Sequence, residues 1–152
     1  MMGVGSVNAM EFGDEKARVA VVHYDAMNST GTRQSVGEYK QDRLYELAHR
    51  YQMPLVLFSE GMGRLSNYGR KSGRVNMDTT MFAEFAKLSG LVPLVGINTG
   101  ECFGGNAALL GCCDVIIATK KSSLGMTRPD ILHAFGGEAE TESGSGIEAQ
   151  VS

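Results

Sequence analysis

At 152 residues and 16.3 kDa the chain has the size of one domain, large enough for a core and too small for two conventional domains. Hydrophobic residues at 43% and charged residues at 20% match ordinary globular usage and argue against wholesale disorder, and the longest apolar runs, 54–58 and 107–113, fall far short of a membrane span. The net charge of −3 is unevenly spread: 137–152 holds four Glu and no base, so the body before it is nearly neutral, a balance that makes nucleic acid an improbable partner, as the short apolar runs do a membrane.

The N-terminus shows no positive region followed by an apolar one, which leads us to expect a cytoplasmic protein. The first clear element is ARVAVVHY at 17–24, a β-branched apolar run that predicts a buried strand, followed by a turn-rich stretch at 28–32. From Glu38 to Gln52 the period becomes helical, and Leu44, Leu47, Ala48 and Tyr51 form one i, i+3, i+4, i+7 stripe. PLVLF at 54–58 is too short for a helix and reads as a central strand. Residues 61–77 contain four Gly, four bases and no acid, without a sustained period, and predict a loop.

Asp78 is placed to cap a helix whose Met81, Phe82, Phe85 and Leu88 share a face and belong to the core, with Gly90 as its C-terminal cap. VPLVGI at 92–97 predicts another strand, a glycine turn at Gly100, Gly104 and Gly105 leads into a small-residue helix at 106–113, and DVIIAT at 114–119 is a third apolar strand in close succession. Strand and helix alternate throughout, so the expected class is α/β with repeated β-α units and a mainly parallel sheet. Residues 137–152 predict a solvated, disordered acidic tail, leaving 1–136 as the folded single domain. Cys102, Cys112 and Cys113 form neither a disulfide framework nor a zinc-ligand pattern and are expected to be small buried thiols.

The chemistry concentrates where the strand ending at Ile97 meets the helix starting at Asn106. Two adjacent glycines, Gly104 and Gly105, can present backbone N–H groups to an oxyanion; tight strand-to-helix packing explains the same spacing without function. Ser59, Ser66, Ser89, His23, His49 and His133 stand in unrelated contexts and supply no Ser-His-Asp set. No metal site is expected.

The run from Lys40 to Pro129 resembles the carboxyltransferase domain of biotin-dependent acyl-CoA carboxylases, within the Clp-protease/crotonase superfamily. KQDRLYELAHRYQMPLVLFSEGMGR (40–64) is similar to that family's helix, strand and Gly-Gly-Ala-Arg-type loop. FAEFAKLSGLVPLVGINTGECFGGNAALLGCCDVIIAT (82–119) is similar to its next helix, strand, Gly-Gly turn, helix and strand, and LGMTRP (124–129) to the approach to its Gly-Pro. The resemblance implies a crotonase-like fold and transfer of a carboxyl group from carboxybiotin, carried on a partner, to the α-carbon of an acyl-CoA. Backbone amides at Gly104 and Gly105 would stabilise the thioester enolate, with no protein nucleophile.

Around that turn the resemblance implies substrate contacts from Glu60, Gly61, Gly63, Arg64 and Asn106, and from the bases Arg70, Lys71 and Arg74 toward CoA phosphates. Glu60 could instead pair with Arg64, and the bases could form a solvated loop. The family site draws on two crotonase-like domains, so this chain is expected to need a biotin carboxyl carrier and either a second copy of itself or a second carboxyltransferase domain. Apolar faces such as one beside Met81, Phe82 and Phe85 would drive self-association. Thr127-Arg128-Pro129 departs from the family's glycine-rich approach. Gly136-Gly137 and Ser145-Gly146-Ile147 resemble a later Gly-Gly…Ser-Gly-Val element, an alternative to the disordered tail. Two other readings are a crotonase-type hydratase or isomerase using a carboxylate such as Glu101, and a non-catalytic acyl-CoA-binding or assembly module.

Overall fold

The structure, a computed structural model, describes residues 1–24, 35–61, 80–129 and 146–147. Four parallel strands, β2 (Arg18–His23), β3 (Leu55–Phe58), β4 (Leu94–Asn98) and β6 (Val115–Ala118), form one sheet with β1 (Met2–Ser6) antiparallel at its edge, in the order β1-β2-β3-β4-β6. β3 is central, as its short apolar run implies. A second, two-stranded parallel sheet pairs β5 (Glu101–Phe103) with β7 (Ser123–Gly125). The helices are α1 (Ala9–Phe12), α2 (Ser35–Tyr51), α3 (Thr80–Ala86) and α4 (Gly105–Gly111). None of the helices among the described residues is long and apolar enough to cross a membrane.

The sheet pattern follows from side-chain alternation. Ala20, Val22, Leu55, Leu57 and Leu94 are buried on one face, and Leu44, Tyr45 and Ala48 of α2, Met81 and Phe85 of α3, and Leu88 just after α3 close over them in one cluster. The helix α2 presents a different stripe from the expected one. Gln41, Leu44, Tyr45 and Ala48 are the buried positions, Leu47 is partly buried and Tyr51 is exposed. Tyr45 carries more apolar surface than Leu47, and its ring meets Phe85 edge-on with centroids 5.4 Å apart, so the helix is turned to bury it.

Phe82 is likewise not core: its side chain is 40% exposed while Met81, Phe85 and Leu88 are buried. At 100° per residue, positions 81, 85 and 88 stay on one side and 82 falls away from it. The face expected to drive self-association is therefore already covered within the monomer. Asp78, the expected cap, lies outside the described residues, and Gly90 does take a left-handed φ of 75°.

β1 and α1 carry no sequence signal that we could read. Met2–Ser6 has two glycines and one large exposed side chain, Val4, and is held mainly by its backbone pairing with β2. Among the cysteines only Cys102 is buried; Cys112 is exposed, and Cys113 is half-buried with its thiol pushed up to about 12, by burial first and then by Cys112 and Asp114 beside it. Two residues of the expected tail are engaged: Gly146 bridges antiparallel to Ser123, the Ile147 N–H donates to the Ser122 carbonyl at 3.1 Å, and Ile147 is buried. The disordered-tail expectation does not extend to this pair, whose backbone is held at the start of β7; the rest of 137–152 lies outside the described residues.

Glycine is required where α4 crosses β4. A β-carbon on Gly96 would lie 2.4 Å from Leu110 Cδ1 and 3.1 Å from Cys113 Sγ, and Leu110 is fully buried. Gly96→Ala is expected to cost about 1–3 kcal/mol, an overpacking penalty, measured as a lower urea midpoint at unchanged slope.

Candidate active site

The C-terminal ends of β3 and β4, where parallel sheets present their ligand sites, converge on β5 and the turn into α4. Past β3, Gly61 is drawn into the second sheet: its N–H donates to the Glu101 carbonyl at 2.6 Å and its carbonyl accepts from the Phe103 N–H at 2.9 Å. The glycine turn is thus interrupted by a strand, β5, that three residues with one large apolar side chain did not signal.

Gly104 takes φ 60° and ψ −130°, a backbone open in practice to glycine alone. Its N–H donates to the Gly125 carbonyl at 3.0 Å and its own carbonyl accepts from the Ala108 N–H at 3.0 Å. The two glycines therefore divide their roles. Gly104 is bonded into the fold and sets the corner, whereas the Gly105 N–H, at the first helical position, makes no hydrogen bond to a described residue.

Beneath the corner lies a buried polar brace. The Asn106 Nδ2 donates to the Glu60 carbonyl at 2.7 Å, and Ser59 Oγ donates to the Asn106 carbonyl at 3.0 Å while lying 3.1 Å from Cys102 Sγ. The Asn98 side chain accepts from the Gly100 N–H at 3.4 Å and donates to the Ser123 carbonyl at 3.3 Å. Ser59, Asn98 and Asn106 are all buried, so these bonds fix β3, β4, β7 and α4 relative to one another at the site. Asn98 and Ser59 were missed from sequence, although each is a polar residue ending a buried apolar strand.

Of the residues nominated for substrate contact, Glu60 is partly buried and its carboxylate accepts from the Thr99 hydroxyl. Asn106 acts through its side chain as the brace just described, and both backbone polar groups of Gly61 are engaged within the fold. Gly63, Arg64, Arg70, Lys71 and Arg74 lie outside the described residues. Glu101 is exposed, with Arg128 Nη1 3.7 Å from its carboxylate. The Ser59 hydroxyl is committed as above, His23 packs against Phe58 at a centroid distance of 5.7 Å, and His49 is exposed on α2. No serine and histidine are hydrogen-bonded to each other among the described residues.

The chain matches the family model described as "carboxyl transferase domain" over residues 15–150. It is similar to the methylmalonyl-CoA carboxyltransferase 12S subunit of Propionibacterium freudenreichii subsp. shermanii, 30% identical over 131 residues that cover 79% of this chain and 23% of that subunit. Among solved structures, a single-chain, multi-domain long-chain acyl-CoA carboxylase superposes with a TM-score of 0.85 at 39% identity, covering 98% of this chain and 15% of that one. The β subunit of P. aeruginosa geranyl-CoA carboxylase, at TM-score 0.74 and 24% identity over 99% of this chain and 27% of its own, shares the fold. The chain thus spans roughly a quarter or less of the length of these relatives. With a mainly parallel, crotonase-like α/β architecture and a family match that runs through the β3, β4 and α4 corner, the chain belongs to the carboxyl transferase domain family and represents a segment of that domain.

Proposed function

We propose that this chain contributes the enolate-holding part of a carboxyltransferase site that acts on an acyl-CoA, with carboxybiotin delivered on a separate carrier as the other substrate. Carboxybiotin supplies the CO2 that becomes bonded to the α-carbon, and its ureido nitrogen takes up the α-proton. The chain's own part is electrostatic. As the α-proton leaves, negative charge builds on the thioester oxygen, and a fixed N–H donor lowers the barrier because it bonds the enolate more strongly than the neutral thioester. The Gly105 amide at the β5–α4 corner, which bonds no described residue, carries this reading, and Gly104 and the Asn106 brace hold it in place.

The remaining donors, the carrier contact and the rest of the CoA pocket come from a second carboxyltransferase domain or a second copy. In this reading the bases Arg64, Arg70, Lys71 and Arg74 would meet the CoA phosphates, with Gly63 as a further substrate contact. Membership in the family supports this assignment. A second reading, a non-catalytic acyl-CoA-binding or assembly module, fits one observation: Asn106 and Gly61, two of the residues nominated for substrate contact, are committed to hydrogen bonds within the fold. A hydratase reading has less support, because exposed Glu101 is next to Arg128 and would need a second carboxylate.

Calorimetric titration with a series of acyl-CoAs, followed by a carboxyl-transfer assay with a carboxylated biotin carrier and a complementary carboxyltransferase domain, separates the two. Micromolar binding together with transfer is expected; binding without transfer under every combination would leave the module reading.

A further inference from the structure

One buried hydroxyl meets the oxyanion corner at both of its ends. Ser59 continues the inward row of β3 after Leu55 and Leu57, where strand alternation calls for an apolar side chain, and it is fully buried. A hydroxyl in such a place is costly unless it is bonded, and this one is bonded twice. Its Oγ donates to the Asn106 carbonyl at 3.0 Å, and with its single proton spent there it accepts from the Cys102 thiol, whose Sγ is 3.1 Å away. Cys102 lies in β5 and Asn106 in the first turn of α4, both fully buried. The residues between them, Phe103, Gly104 and Gly105, form the corner. Asn106 is tied to β3 a second time through the bond from its Nδ2 to the Glu60 carbonyl at 2.7 Å.

We propose that Ser59 is a positioning residue for the Gly105 amide: by joining Cys102 to Asn106 it fixes the span of the corner, and with it the direction in which the Gly105 N–H points. The need for such a staple comes from the glycines themselves. Adjacent glycines allow the φ of 60° and ψ of −130° at Gly104, and they also allow many other conformations, so the corner holds its shape only as well as its ends are held. The bond from the Gly104 N–H to the Gly125 carbonyl pins the middle of the corner on the β7 side, and Ser59 pins both ends on the β3 side. A fixed donor serves an oxyanion only at hydrogen-bond distance, and a displacement on the order of 1 Å can forfeit a large part of its effect. That consequence for catalysis rests on the enolate-holding role proposed above; the geometric role does not.

Ser59→Ala removes one oxygen and no carbon, so it tests the staple with little repacking. In the isotope-labelled full chain, amide hydrogen exchange at Gly104 should quicken at least about tenfold, while β2 amides such as that of Ala20, bonded to the Pro54 carbonyl, should exchange at the wild-type rate. In the carboxyl-transfer assay kcat should fall about tenfold with KM for the acyl-CoA within about twofold. In a Gly105→Pro background the same substitution should cost no more than about twofold, because the amide it orients is gone. Unchanged exchange at Gly104, or a rise shared equally by β2, overturns the proposal whatever the activity. Faster exchange at Gly104 with full turnover, or an equal loss in the Gly105→Pro background, overturns the link from Ser59 to catalysis while the enolate reading stands. A wild-type chain that fails to transfer with any carrier and complementary domain removes the enolate reading instead, and exchange at Gly104 still decides the geometric role.

Discussion

Replacing Gly105 with proline is expected to lower carboxyl transfer, assayed with carrier and complementary domain, by about a hundredfold or more, since loss of one oxyanion donor typically costs roughly 3–4 kcal/mol in the transition state. The substitution is unusually clean. Gly105 is the first helical residue of α4, a position where proline's fixed φ suits the helix and its missing N–H breaks no intrahelical bond. Gly104 before it has no β-carbon to clash with the proline ring. The fold should therefore survive, which circular dichroism checks, while the Gly105 amide, which bonds no described residue, is deleted. Glu101→Gln keeps that amide and should stay within about twofold of wild type if backbone electrostatics carry the reaction; its collapse would instead mark Glu101 as an acid or base and favour the hydratase reading. CoA affinity should change little in either variant. Full transfer by Gly105→Pro would remove Gly105 from the mechanism.

The asymmetry between the two glycines was not visible in the sequence, and the reason is physical. Adjacent glycines signal a corner, but which N–H faces inward depends on the partner strand, here β7, whose Gly125 carbonyl takes the Gly104 amide. Gly125 is itself held close to Phe103: a β-carbon there would lie 3.2 Å from the Phe103 ring. The strands β2, β3, β4 and β6 were legible because each is an apolar run bounded by turns, and their alternation with helices implied the parallel sheet. β1 and β5 were not, since they are short and their pairing depends on distant backbone. The nominated site residues mixed two kinds of contribution. Asn106 and Gly61 stand at the site because they build it, through hydrogen bonds within the fold, and residue type alone cannot distinguish a group that holds a site together from one that touches a ligand.

The same limit applies to α3, where the period was right and the assignment of Phe82 was not, and there the two phenylalanines give a direct measurement. Phe85 is almost fully buried and packs edge-to-face on Tyr45 of α2, in contact with the cluster that covers the sheet beneath both helices. Phe85→Ala is expected to cost about 3–5 kcal/mol, because the transfer free energy of the ring is lost and rigid neighbours cannot close the cavity. For a chain of this size that is a fall in melting temperature on the order of 10 °C, large against the marginal stability of most domains. Phe82, three residues earlier and 40% exposed, should lose no more than about 1 kcal/mol on the same substitution. Chemical denaturation of both variants decides the orientation of α3. Equal losses would mean that Phe82 packs as deeply as Phe85, whereas the expected contrast would show that α3 already spends its apolar face within the monomer.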